Sequence, residues 1–247
     1  RILTAGGERA MEYSPILALA TAAFELAVAI WTLWGPGDRA ILRTTAAILV
    51  LLAGYQLTEV AICATIGASG VLPRLAFLDV TWLPPLGLVL VARIHRPRSS
   101  VLRGASRAML AAAVGIAAWI LLDRSFATAS VCSVVYARYT HTAPWFTVYA
   151  GFYWSGLWGM VVFSAYSARA GADPHRRRLS TQVFSGTLGF LVPSIAASWF
   201  VPAARAALPS VMCHFALILA VLLARMIALE RRAAAETEST TPAPQAA

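Results

Sequence analysis

The sequence predicts an all-α polytopic membrane protein, a bundle of seven transmembrane helices with its N-terminus outside and its C-terminus cytoplasmic. Three observations predict it. The first is composition: 59% of the 247 residues are hydrophobic and 13% are charged, where soluble domains carry about a quarter charged, and mean hydropathy is +0.70. The second is that the apolar residues gather into seven runs. A hydrocarbon core about 30 Å thick takes roughly 20 helical residues to cross. The third is the placement of arginine between the runs. Fourteen arginines fall in the first, third and fifth connections and at the C-terminal end, and six on the opposite side. Basic loops stay in the cytoplasm, and only an odd number of crossings preserves that alternation.

Residues 1–13 are polar, with Glu8 and Glu12 and no basic leader region, so they are expected to form an external segment. The transmembrane domain is expected over 14–232, with runs at 14–34, 40–67, 72–94, 107–122, 143–166, 181–200 and 208–229. The arginine-rich side holds Arg39 and Arg43, then Arg93, Arg96, Arg98, Arg103 and Arg107. Arg169 with Arg176, Arg177 and Arg178 follows, and then Arg225, Arg231 and Arg232. Trp31, Trp34, Trp145 and Trp199 stand at run ends, where interfacial belts place them. Small residues recur four apart at Gly151, Ser155 and Gly159, and at Ser185 and Gly189, a spacing that lets helices of one bundle approach closely. The last run continues as helix to Arg232. Residues 233–247 are rich in Ala, Thr, Glu and Pro without apolar periodicity and are expected to be a disordered cytoplasmic tail.

All 20 basic residues are arginine. Without a lysine amine no retinal Schiff base can form, which excludes a retinal-binding rhodopsin. The net charge of +9 is spread over loops between apolar runs, so it reads as a topology signal and a contact for anionic lipid, with no nucleic-acid partner. A separate signalling partner on the cytoplasmic side is a further expectation, and the composition leaves homo-oligomerisation open.

Chemistry-bearing residues are few. Gln56, Glu59 and Cys63 are spaced i, i+3, i+7 and share one face of the second run. Two more carboxylates lie within runs, Glu25 in the first and Asp79 in the third. Ionisable groups at such depths are rare and face the bundle interior. An isolated carboxylate there keeps its proton or holds a cation. Asp79 is followed by Val80, Thr81, Trp82, Leu83, Pro84 and Pro85, and the two prolines deprive the carbonyls of Val80 and Thr81 of their i+4 donors. Irregular backbone at that depth is tolerated where it is buried or lines a cavity. The expected ligand-binding set is therefore Gln56, Glu59, Asp79, Thr81 and Trp82 with Glu25, in a pocket opening outward among the first, second, third and seventh runs. His214 lies at a depth matching Glu59 and Asp79, which makes Glu59, Asp79 and His214 a candidate divalent-metal set, though no HxxxH or HExxH spacing ties them together. Cys63, Cys132 and Cys213 all map to the external half, where a disulfide is permitted; Cys132 pairs with either Cys63 or Cys213, or all three stay reduced.

The sequence Tyr55-Gln56-Leu57-Thr58-Glu59, followed by Trp82-Leu83-Pro84-Pro85, resembles a group of uncharacterised bacterial multi-pass proteins. These carry a Gln-x-x-Glu second helix and a Trp-x-Pro third helix. The resemblance implies a seven-helix bundle in a bacterial plasma (inner) membrane and no established activity. The chain is also similar to the seven-helix sensory regions of bacterial histidine kinases, without their kinase or cyclase domain. Seven-helix zinc amidases use several histidines, where the runs here supply only His214. The leading expectation is a receptor-like or binding membrane protein holding a small ligand or cation. An intramembrane metal-dependent hydrolase or a transporter using Glu59 and Asp79 stands second, and a ligand-free structural or assembly protein third.

Overall fold

The computed structural model describes residues 14–64, 71–95, 99–132, 137–141, 145–171, 173–201 and 207–240. The elements are α1 (Ile16–Leu33), α2 (Arg39–Ala64), α3 (Val71–Val80), α4 (Leu83–Ile94), α5 (Ser100–Leu122), β1 (Ala127–Cys132), β2 (Ala137–His141), α6 (Trp145–Ala170), α7 (Pro174–Phe200) and α8 (Leu208–Thr240). Among the described residues six segments are long and apolar enough to cross a membrane: Ile16–Leu33, Arg39–Ala64, Val71–Ile94, Ser100–Leu122, Pro174–Phe200 and Leu208–Thr237. Helix α6 is comparably long at 26 residues, but Trp, Tyr, Gly and Ser occupy so many of its positions that its hydropathy is lower.

Several helices extend beyond the apolar runs, because hydropathy marks lipid burial whereas helices end at caps. Helix α5 begins at Ser100, seven residues before the expected start, because extended Ser99 accepts the Leu102 N–H on its Oγ at 3.4 Å. Helix α7 begins at Pro174, capped by Asp173, whose carboxylate accepts the His175 N–H at 2.9 Å. Helix α8 runs on to Thr240 rather than ending at Arg232. The Ala233-Ala234-Ala235-Glu236 stretch has high intrinsic helix propensity, so the segment expected to be disordered is helical as far as it is described; 241–247 lie outside the described residues, as do 1–13.

The third run is broken. Helix α3 ends at Val80, Thr81 and Trp82 form a turn, and α4 starts at Leu83 with both prolines in its first turn, where a missing N–H costs nothing. The Thr81 N–H still donates to the Phe77 carbonyl at 3.0 Å, whereas the Trp82 N–H reaches only back to Asp79, at 3.4 Å, a tightened last turn. The connection 123–142, expected only as a loop, contains an antiparallel hairpin that pairs Cys132 with Ala137 and Val131 with Arg138, with a bulge between Ala127 and Ala129.

Helix α1 packs along α2, α7 along α8 and against α6, and α4 against α5 and α6. Close approach of α6 to α4 depends on Gly156, where a Cβ would stand 2.4 Å from the Pro84 Cβ; Gly151 of the expected stripe faces open space. At the arginine-rich end, the α1–α2 turn is held by α7 and α8. Glu230, 5% exposed, accepts the Asp38 N–H at 3.0 Å and pairs with His175 Nε2 at 2.9 Å. Arg176 lies 3.6 Å from the Asp38 carboxylate, and the Arg231 guanidinium sits 4.1 Å over the Trp31 ring.

Candidate binding site

Helix α2 turns Tyr55, Gln56, Glu59 and Ile62 into the bundle, all buried. Gln56 Nε2 donates to the Cys213 carbonyl at 2.9 Å and so ties α2 to α8. Glu25, fully buried on α1, has neither carboxylate oxygen hydrogen-bonded among the described residues. Asp79, half-buried, lies against α2 at Gly54, where a Cβ would stand 3.1 Å from Asp79 Oδ1. A Cβ there would require the carboxylate to give way by a few tenths of an ångström. Glu25, Glu59 and Asp79 thus come from three helices, and all three lie within electrostatic reach of the buried Cys213 thiol on a fourth.

Thr81 Oγ1 donates to the Phe77 carbonyl at 2.7 Å, one turn back, and the Thr81 side chain also hydrogen-bonds Tyr149. Trp82 is half-buried beside it. His214 is half-buried too and its Nδ1 is bonded to the Ser210 carbonyl at 2.8 Å, one turn back on its own helix. No group of three His, Cys, Asp or Glu side chains among the described residues could hold a metal ion. The set Glu59, Asp79 and His214 is therefore not brought together, because one residue in sequence turns His214 about 100° away from Cys213 around α8.

The cavity lies elsewhere than expected. It measures about 160 Å³ and sits among α3, β2, α6 and α8, not among the first, second, third and seventh runs. Phe77 and Val80, Tyr139, then Phe146, Tyr149, Ala150, Tyr153 and Trp154, and finally Leu208, Pro209, Met212 and Cys213 form its wall. Gln56, Glu59, Asp79, Thr81, Trp82 and Glu25 are absent from that wall; all but Trp82 stand behind it, each related to Cys213 or Tyr149. Asp79 is within electrostatic reach of Tyr149 and Tyr153, and Glu59 of Tyr55.

The wall is an aromatic cluster centred on Phe77. Its ring meets those of Phe126, Tyr139, Phe146 and Tyr149 edge to face at 5.4, 5.2, 5.8 and 5.4 Å. Such pairs contribute about 0.5–1.5 kcal/mol each beyond burial. Phe146, Tyr149 and Tyr153 are spaced i, i+3, i+7 on α6 and stack successively at 5.9 and 6.0 Å. That spacing is as visible in the sequence as the one on α2, but aromatic residues in a membrane helix read as ordinary packing.

The hairpin roofs this cavity. Cys63 and Cys132 are disulfide-bonded, with Cα atoms 5.7 Å apart, and Cys213 is free and buried. The Tyr55 and Tyr139 hydroxyls lie 3.1 Å apart, and the Ala137 N–H donates to Ser210 Oγ at 3.3 Å. Each strand is thereby fastened to α2 or α8 at the cavity's rim. No protein-family model matches the chain, and no curated protein matches its sequence.

Proposed function

We propose that this protein is a binding protein of the bacterial plasma membrane, receptor-like in form, that holds a small ligand in the aromatic cavity beneath the hairpin. In this reading α6 also crosses the membrane, as the fifth of seven spans, the hairpin end faces outward and α8 ends in the cytoplasm. The arginine distribution supports the orientation, and the Cys63–Cys132 bridge supports it independently, since it sits at the end that the arginines avoid and disulfides persist outside the cytoplasm. The arginine-rich end suits anionic lipid headgroups or a separate signalling partner.

The observation that carries the reading is the cavity of about 160 Å³, walled by rings and placed directly under a cross-linked roof. Binding is favoured over transport by what lies below. The next cavity inward measures about 30 Å³; Tyr153 and Cys213 line it too, but the rest of its described wall, with Leu52, Leu83, Leu157, Phe190 and Leu219, is apolar and carries no charged side chain. The test is thiol access. In a Cys213→Ser background, Ala150→Cys is expected to react with a membrane-impermeant thiol reagent added outside intact cells, and Ala216→Cys, in the wall of the smaller cavity below, is not. Failure of Ala150→Cys to react from outside would overturn the outward-opening cavity.

A further inference from the structure

We infer that the ligand of this cavity is a small organic cation of the alkylammonium class. The inference rests on the reading of the cavity as a binding site and names what that site selects. Size comes first. An apolar cavity of about 150 Å³ accommodates benzene, so about 160 Å³ holds a ligand of similar bulk, such as a trimethylammonium group with a short substituent.

The wall then selects among ligands of that bulk. Phe77, Tyr139, Phe146, Tyr149, Tyr153 and Trp154 surround the space with π-systems, and no arginine or histidine is among its lining residues. Aromatic cages attract quaternary ammonium ions through the ring quadrupole, most strongly where water is excluded. Methylated ammonium needs no hydrogen-bond acceptor, and the rings supply few. A metal ion would need several oxygen, nitrogen or sulfur donors converging on one point, which the described residues do not offer.

Groups able to take the matching sign stand behind the wall. Asp79 lies within electrostatic reach of Tyr149 and Tyr153, and Glu25 and Asp79 of Cys213, all three of them wall residues. Asp79 Oδ2 and both Glu25 oxygens are buried and accept no hydrogen bond among the described residues. Coulomb interactions over such distances are several-fold stronger here than in water. Burial disfavours the bare carboxylate on both groups, so a cation in the cavity is what would hold one of them ionised, whereas an anion or a neutral molecule gains nothing from them.

The test compares choline with its uncharged carbon isostere, 3,3-dimethyl-1-butanol, by isothermal titration of the detergent-purified full chain. Choline is expected to bind at least about ten-fold more tightly, a margin typical of a desolvated cation–π site. Asp79→Asn should remove most of that margin and leave the isostere's affinity unchanged. Tyr153→Leu keeps apolar volume while deleting a ring, and should likewise weaken choline more than the isostere, which guards against a folding defect in the Asp79 variant. Ala150→Phe should abolish both by filling the space. Equal affinity of the two probes would overturn the cation assignment and keep the binding site. If neither binds, the assignment also falls, and labelling of Ala150→Cys then decides whether the outward-opening cavity falls with it.

Discussion

Severing the hairpin's cross-link tests the architecture of the site most directly. The Cys63–Cys132 bridge spans 69 residues of chain, and the loop-closure entropy removed from an unfolded chain of that length corresponds to about 4 kcal/mol at 25 °C. That figure is an upper bound, because membrane helices that lose their packing remain confined by lipid or detergent and sample fewer conformations than a free chain. For a chain of this length about 2–4 °C of melting temperature accompanies each kcal/mol. The double variant Cys63→Ser/Cys132→Ser is therefore expected to melt on the order of 10 °C below wild type, with half that a fair lower limit. Thermal unfolding in detergent, followed by tryptophan fluorescence, measures it.

Two controls separate the bridge from side-chain packing. Reductant should shift wild type toward the double variant and leave the variant unmoved. Cys213→Ser should retain full sensitivity to reductant, because that thiol is buried and free. Single replacement of Cys132 should expose Cys63 to maleimide, which in wild type stays unreactive until reduction. If the double variant melts with wild type and both cysteines label without reductant, the bridge is absent and the hairpin does not roof the cavity as described.

Three further outcomes follow from particular contacts. Gly54→Ala puts a Cβ 3.1 Å from Asp79 Oδ1 and should destabilise the protein by about 1–3 kcal/mol, the usual cost of overpacking, seen as a lowered melting temperature; an unchanged melt would show that the carboxylate is not held against α2. Glu230→Ala removes the acceptor that holds the Asp38 N–H and the partner of His175 and should cost about 1–3 kcal/mol in the same assay, with Glu230→Gln costing less because it keeps an acceptor. Asp123 accepts the Ser125 hydroxyl and N–H at 2.6 and 2.8 Å, which together with Trp119 hold its carboxyl below the ordinary value. A lowered folded-state pKa gives stabilisation that is present above the unfolded value, about 3.9, and lost as pH falls through the folded one. Protection of the hairpin amides relative to their intrinsic exchange rates should therefore fall only in that acid range, and Asp123→Asn should remove that fall.

Much of the fold was legible because lipid imposes one rule on every crossing segment, an unbroken apolar run of sufficient length. What hydropathy could not locate were the ends. Ser99 and Asp173 start helices within stretches that look like loops, since a cap is a local hydrogen bond and not a hydropathy signal. Pro84 and Pro85 marked a break in the third run. They begin a new helix there, a distinction that depends on whether the chain closes the previous turn, as Thr81 does through Phe77. The site was half legible. A search for polar residues in apolar runs found Gln56, Glu59, Asp79 and Glu25, and these do gather around Cys213. It missed Phe77, Tyr139, Tyr149 and Tyr153, because an aromatic residue carries the same sequence signal whether it fills a core or walls a cavity.

The division between ring wall and carboxylate backing has a physical logic. A carboxylate inside the cavity would hold water or a proton there, and either would compete with an apolar ligand for a space of about 160 Å³. Set behind rings, an ionised Asp79 would still act through low-dielectric material, while the surface offered to a ligand would carry no carboxylate. The break at Thr81 and Trp82 serves this division. On α3, Phe77 and Val80 face the cavity and Asp79, lying between them in sequence, is turned about 100–200° around the helix onto Gly54. The helix then ends within two residues, so that α4 can follow its own direction against Gly156 of α6 without carrying Asp79 with it. One short helix thus supplies both the central ring of the wall and a carboxyl behind it, and the hairpin fastened by Cys63 and Tyr55 adds Tyr139 to the same wall.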